Sequence, residues 1–243
     1  MCLLTFLPPG VQPDPNALYN GTLLNDDGHG FAIVAGDRLL VRHSMHGEQL
    51  IDEFAATRRT FADGPALFHS RWGTAGAVDL DNCHPLRLGG DTRTVLAHNG
   101  VLPIDVAGTD PRSDTRIAAD ELIPAMGPLR LRRTRLRLKR WMGAQNKIAI
   151  LTVDRRYRRN AYLLNEQAGT WDGGIWYSNH GYQDLVAPRH LLGRSTAEPG
   201  ACWWCTMPLD ERLHDCPYCG ACQDCQSPDG WCLCRRPPLR QAG

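Results

Sequence analysis

The chain has 243 residues, 42% hydrophobic and 22% charged, which fits a globular protein with one large domain, or one domain and a small appendage. Its net charge of +1 argues against a protein that is a nucleic-acid binder throughout, and no stretch approaches the roughly 18 apolar residues of a membrane span. The opening LLTF runs at once into PPG with no basic residue before it, unlike a secretory signal, so a cytoplasmic address is expected.

In chain order, FAIVAGDRLLVRHS (31–44) sets two apolar runs around AGD and predicts a hairpin. QLIDEFAATRRTF (49–61) repeats Leu50, Ile51, Phe54, Ala55 and Phe61 at helical spacing. ALFHSRW (66–72) and RTVLAHNGVL (93–102) read as strands running into turns, the second breaking at Asn99-Gly100. SDTRIAADELIPAM (113–126) predicts a helix capped by Ser113. NKIAILTVDRRYRRNAYLLNE (146–166) predicts a second hairpin turning at Asp154–Asn160, and TWDGGIWYSN (170–179) a short strand pair. Hairpins with helices among them predict an α+β protein whose antiparallel sheets carry helices on their faces, a layered αββα arrangement rather than a βαβ repeat.

The ten cysteines divide the chain. Cys2 and Cys83 lie in the first 201 residues, and the other eight fall between Cys202 and Cys234. GRSTAEPGA (193–201) reads as a linker, which sets a main domain over 1–195 and a cysteine-rich tail over 196–243. Cys83, an isolated internal thiol, reads as a small core filler.

Cys2 directly follows the initiator methionine. One reading is a small thiol at the start of a first strand. The other is that removal of Met1 leaves a thiol and a free amine on one residue, and that amine, with a reference pKa of about 7.7–8.0, can serve as the base for its own nucleophile. Four further segments carry polar residues at turns: NDDGHGFA (25–32), HSRWGTAG (69–76) with NCHP (82–85), AHNG (97–100) and RSDT (112–115). Each alone has a structural explanation as a loop, strand end, turn or helix cap.

Together with Cys2, these segments in this order resemble the class II (N-terminal nucleophile) glutamine amidotransferases. The resemblance spans Cys2 to Thr115 and implies a four-layer αββα sandwich of antiparallel sheets. It also implies a set of roles. Cys2, after loss of Met1, is the nucleophile that attacks the side-chain amide carbon of L-glutamine, with its own amine moving the proton. The Asn99 side chain and the Gly100 backbone N–H stabilise the oxyanion, a contribution of about 2.7–4 kcal/mol per donor. Arg71 pairs with the substrate α-carboxylate and Asp114 with its α-ammonium. Trp72, Thr74 and Gly76 complete the loop around the ligand, and His84 borders it. For His84 and His98 a structural, hydrogen-bonding role is favoured.

The resemblance stops at the glutaminase half: nothing after residue 195 has the size of a synthase domain, so the ammonia acceptor is expected on a separate protein. Two other readings stay open. One is a catalytically degenerate member acting as a zinc-dependent scaffold for protein or nucleic acid. The other is an amidohydrolase of another amide or γ-glutamyl compound.

In the tail, Cys202, Cys205, Cys216 and Cys219 form C-x2-C-x10-C-x2-C, a spacing that closes four thiolates on one zinc. Cys222, Cys225, Cys232 and Cys234 suffice for a second ion, although interleaved pairing is equally compatible with the spacing. Some forty residues build little core, so metal is expected to supply much of the folding energy there. RLRRTRLRLKR (130–140) places seven basic residues in eleven. A solvated helix or loop face is the favoured reading, with docking to an acidic partner or to phosphates as the alternative. Nucleic acid is accordingly the less favoured partner.

Overall fold

The computed structural model describes residues 2–183 and Cys222. The chain divides into two units, Met1–Asp184 and Leu185–Gly243. The expected linker at 193–201, and all of the tail cysteines except the buried Cys222, lie outside the described residues.

The first unit is built on two antiparallel sheets. The larger contains β1 (Leu3–Leu7), β2 (His29–Ala35), β3 (Arg38–Ser44), β4 (Ala66–Ser70), β9 (Thr170–Asp172) and β10 (Ile175–Tyr177), in the order β3-β2-β4-β1-β10-β9. The smaller runs β5-β6-β7-β8, from β5 (Leu86–Leu88), β6 (Asp91–Asn99), β7 (Lys147–Thr152) and β8 (Ala161–Leu164). The expected hairpins at 31–44, 146–166 and 170–179 are the β2–β3, β7–β8 and β9–β10 pairs.

Period-two alternation of these strands creates three apolar layers. In β1, Leu4 and Phe6 face one way and Leu3 and Leu7 the other; in β2, Ala32 and Val34 oppose Phe31 and Ile33. Leu4, Phe6, Ala32, Val34, Leu67 and Trp176 of the larger sheet meet Val95, Ala97, Ala149 and Leu151 of the smaller, so the two sheets share one core. The outer face of the larger sheet packs on α1 (Pro15–Leu24) and α2 (Gly47–Thr60) through Leu18, Leu50, Ile51 and Phe54. The outer face of the smaller sheet packs on the helical segment after Ser113 and on α5 (Arg132–Met142) through Ala119, Ile123, Leu138 and Met142. The result is a four-layer αββα sandwich.

Three features depart from the sequence reading. The helix expected over 113–126 begins as α3 (Asp114–Ile117) with the Ser113 hydroxyl accepting from the Arg116 N–H, but passes through a π turn at Ala118–Leu122 before α4 (Ile123–Ala125). There the Ile123 N–H reaches back five residues to the Ala118 carbonyl, next to Pro124, which has no N–H to continue the regular ladder. Helix α1, whose ten residues PNALYNGTLL carry little helical periodicity, forms because Asp14 caps it on the Asn16 and Ala17 N–H groups and Pro15 starts it. Strand β5 has only three residues and no pattern of its own. Among the described residues no helix is long and apolar enough to cross a membrane.

The basic run forms α5. Thr134, Leu138 and Met142 recur at i, i+4 and i+8 and bury one stripe, leaving Arg132, Arg133, Arg137 and Arg140 exposed.

Candidate active site

Cys2 lies at the open end of β1, one residue before the Leu3–Ser70 pair of the β1–β4 ladder. The alternation that sends Leu4 and Phe6 into the inter-sheet core also turns Cys2 toward the smaller sheet. Its thiol accepts from the Trp72 backbone N–H at 3.3 Å. Its carbonyl accepts from the side-chain amides of Asn99, at the end of β6, and of Asn179 (2.8 Å). Residues from β1, β6 and the segment after β10 thus clamp one peptide group. Burial raises the Cys2 thiol pKa, opposed by the Trp72 N–H and the Arg71 charge, so the group rests as a thiol.

The thiol opens into a small cavity, open to solvent, lined by Cys2, Arg71, Trp72, Thr74, Ala75, His84, His98, Gly100, Ser113, Asp114 and Thr115. Arg71 and Asp114 bring opposite charges to it, and both are nearly fully buried. The Arg71 guanidinium is anchored on the Ala77 carbonyl (3.0 Å) and the Ala75 carbonyl (2.9 Å), which fixes its plane while leaving donors free. Asp114 accepts from the Leu102 N–H at 2.7 Å on one oxygen and from the Thr115 N–H at 2.6 Å on the other, spending one acceptor site of each on the backbone.

Two expected residues stand apart from the cavity wall. Gly76 sits behind it at φ 75°, where an added Cβ would come within 2.5 Å of the Ser113 nitrogen, so its absent side chain lets the 71–77 loop lie on the start of α3. Asn99 touches Cys2 rather than the cavity. One N–H of its amide serves the Cys2 carbonyl, leaving the second available, while its buried oxygen has no partner among the described residues. Gly100 adopts φ 136°, and a Cβ there would meet Asn146 Oδ1 at 2.2 Å. Among the described residues its backbone N–H donates to no group.

Three histidines form a buried chain, His84 and His98 in the cavity wall and His69 behind it. His69 Nε2–H donates to the His98 carbonyl (2.9 Å) and lies 3.0 Å from His84 Nδ1, which also receives the His98 N–H at 3.4 Å. His84 Nδ1 is therefore an acceptor, which puts the proton on Nε2. His98 Nε2 donates to Asn146 Oδ1 (2.8 Å), and its Nδ1 lies 2.8 Å from the Thr115 hydroxyl. Desolvation lowers the pKa of all three, that of His69 to about 3 and that of His84 well below the usual value; for His98 the Asp114 charge partly opposes the shift. The trio is neutral and holds geometry rather than charge.

Residues to which the sequence reading assigned no role complete the frame, two of them, Asp27 and Asn82, inside the quoted segments. Asp27 accepts from the Gly73 N–H at 2.7 Å and pins the 71–77 loop. Asn82, buried, donates to the Ala77 and Pro111 carbonyls and accepts from the Ser113 N–H at 2.7 Å, joining that loop to the start of α3. Asn146 links His98 to the end of α5 through the Met142 carbonyl. Asn179 carried no local signal: it reaches Cys2 across 177 residues only because β10 pairs with β1. Among the described residues no cluster of His, Cys, Asp and Glu could hold a metal ion.

No protein-family model and no curated protein matches this sequence. Similar solved structures include glutamine phosphoribosylpyrophosphate amidotransferase from B. subtilis complexed with ADP and GMP, at 20% identity and TM-score 0.44, covering 73% of this chain and 41% of that one. A second is described as the allosteric regulatory enzyme of purine biosynthesis, at 19% identity and TM-score 0.43, again covering 73% of this chain and 41% of that one. The chain spans about two fifths of the length of these structures.

Proposed function

We propose that this protein hydrolyses the side-chain amide of free L-glutamine through Cys2. One observation carries the reading: a nucleophile-bearing residue, a buried guanidinium and a buried carboxylate converge on a single small cavity, a match for the amide and the two opposite charges of an amino acid.

Because burial holds Cys2 as a thiol, attack requires a base within reach. Desolvation makes the neighbouring imidazoles poor proton acceptors, and the base we assign is the α-amine that Cys2 acquires on losing Met1, carried on the same residue. That amine takes the thiol proton, the sulfur adds to the amide carbon, and the oxyanion receives the Gly100 N–H and the second N–H of Asn99. Collapse expels ammonia, protonated by the same amine, and leaves a thioester that water hydrolyses to glutamate. Asn99 and Asn179 hold the Cys2 carbonyl, and so the amine on the same residue, in fixed register. Arg71 and Asp114 select an amino acid with both of its backbone charges free.

The fate of the ammonia belongs to the same proposal, with the acceptor on a separate protein. The tail is proposed to hold structural zinc on Cys202, Cys205, Cys216, Cys219, Cys222, Cys225, Cys232 and Cys234, four thiolates per ion with no open position for water. Metal analysis of the purified protein is expected to return about two zinc per chain. Truncation after Ala197 is expected to remove the metal and keep the hydrolysis.

The test is glutamate release from glutamine by purified protein, read alongside its intact mass. Loss of one methionine mass together with turnover is the expected result. A correctly processed chain that turns over no glutamine, alone or with candidate acceptor enzymes, sinks the reading.

A further inference from the structure

The charge of this chain is distributed very unevenly. Residues 130–159 hold twelve Arg and Lys against Asp154 alone, +11, so the remaining residues sum to −10 in a chain of net +1. The fold gathers this segment into one surface. Arg135 of α5 lies 4.3 Å over the Tyr162 ring, and the Arg159 N–H in the β7–β8 turn donates to the Tyr162 hydroxyl. Tyr157 of that turn packs with Tyr162 and Trp141 on the same apolar cluster as Leu138. Helix and turn are therefore neighbours, and their outward arginines form one patch.

These charges are not balanced within the described residues. Asp154 is taken up by Arg156 at 2.6 Å, and none of Arg133, Arg137, Arg140, Arg155, Arg158 and Arg159 has an acidic partner there. Arg140 and Lys139 suit the C-terminal end of α5, but the arginines at its start do not serve the helix. The first turn of α5 carries arginines where the macrodipole favours acids, and the helix has no side-chain cap. A surface that breaks local rules without internal compensation reads as one kept for a ligand.

We propose that the face formed by α5 and the β7–β8 turn binds the phosphate backbone of duplex nucleic acid without reading sequence. The alternatives fit the surface less well. A protein partner needs an apolar centre to desolvate, and the only exposed large apolar side chain on α5 is Leu136. A membrane-surface helix needs its apolar stripe outward, but that of α5 is spent on the core. Single strands need exposed rings to stack on, and Tyr157, Tyr162 and Trp141 pack against the protein. What is left is a dense array of guanidinium forks, suited to phosphate oxygens and to counterion release.

The experiment is fluorescence anisotropy of a labelled 30-base-pair duplex of arbitrary sequence with the full-length protein, tail included. With about five phosphates neutralised, log K against log salt is expected to slope near −4.5, a loss of several hundred-fold between 50 and 200 mM salt. The triple variant Arg133→Glu/Arg137→Glu/Arg140→Glu, and separately Arg155→Gln/Arg158→Gln/Arg159→Gln, are each expected to weaken binding at least ten-fold and flatten the slope, with glutamine hydrolysis unchanged. Circular dichroism melting confirms that each variant is folded. No binding at 50 mM salt overturns the proposal. So does duplex affinity that survives both variants, which would move the contact elsewhere. Competition by polyglutamate or by anionic vesicles at equal charge concentration as effective as by unlabelled duplex also overturns it, in favour of an acidic protein or a membrane.

Discussion

The Cys2 cavity and the α5 face handle polar groups in opposite ways. Around Cys2 the polar groups are buried and closely matched: Arg71 on two carbonyls, Asp114 on two N–H groups, three neutral histidines on one another and on backbone. On α5 the charged groups are all of one sign, and Arg132, Arg133, Arg137 and Arg140 are exposed with no acidic partner among the described residues. The first pattern stabilises a unique geometry at the cost of desolvation, and the second costs little fold energy but stores a field. A formal charge of +1 conceals the second entirely, because the remainder of the chain offsets it.

The largest expected effect tests whether the cavity is a reacting site at all. Cys2→Ala removes the sulfur while leaving the β1 backbone and the Asn99 and Asn179 bonds to the carbonyl in place. It is expected to lower glutamine hydrolysis by about 10³-fold or more with an unchanged melting temperature. Residual turnover near wild type would make the buried polar frame a structural device only, and would erase the functional half of the comparison.

Gly100→Ala probes how tightly that frame is built. The position needs positive φ, and the added carbon would meet Asn146 Oδ1, which itself holds His98, while the Asn146 amide holds the end of α5. Strain at such a backbone costs about 1–3 kcal/mol, and displacing Asn146 adds to it. The expected outcome in denaturant titration is a loss of about 3 kcal/mol, with kcat falling along with it.

The buried histidines make a prediction that the exposed arginines cannot. In the folded chain His69 resists protonation until about pH 3, whereas unfolded it binds a proton below about pH 6.5. The unfolded state therefore holds more protons across this interval, and stability falls as pH is lowered through it. His69 alone contributes a loss of about 2 kcal/mol by pH 5, and His84 and His98 act in the same direction. Asp154, held near 2 by Arg156, adds its own loss only below about pH 4, so the interval from about 6.5 to 4.5 belongs to imidazoles. Denaturant stability that stays flat over that interval would mean the histidines are hydrated and charged.

The contrast also explains what the sequence made legible. The strands were readable as apolar runs because each packs on both faces, so β1, β2, β4 and β7 place apolar residues at nearly every step. Residues in and beside the cavity wall were readable as motifs because turns need Gly, Asn and Asp at set positions, as at Asn99-Gly100 and Ser113-Asp114. Asn179 and Asn146 were not, since they act on partners 177 and 4 residues away and carry no pattern of their own, and Asp27, though inside a quoted segment, gave no sign that it would pin the Gly73 N–H 46 residues on. The π turn in 118–122 escaped because backbone register leaves no mark on side-chain periodicity over five residues. The basic run was visible as a run, but its union with the β7–β8 turn depends on a sheet register that juxtaposes Tyr162 with Arg135.

The smallest expected effect sharpens the other side of the comparison. Arg133 is in the first turn of α5, where the helix N-terminus carries partial positive charge and Leu131 offers no cap. Four residues on, Arg137 is exposed on the same face and repels it. Arg133→Glu reverses both terms: a carboxylate meets the dipole, and an acid placed N-terminal to Arg137 is the favourable order for an i,i+4 pair. The single variant is expected to gain about 0.5–1 kcal/mol in stability, more at low salt than at high. A loss of stability would instead reveal an acidic partner for Arg133 within the chain, and α5 would then be a balanced surface helix. A gain means that the wild-type arginine works against its own helix, so that its retention has to be explained by something outside the fold.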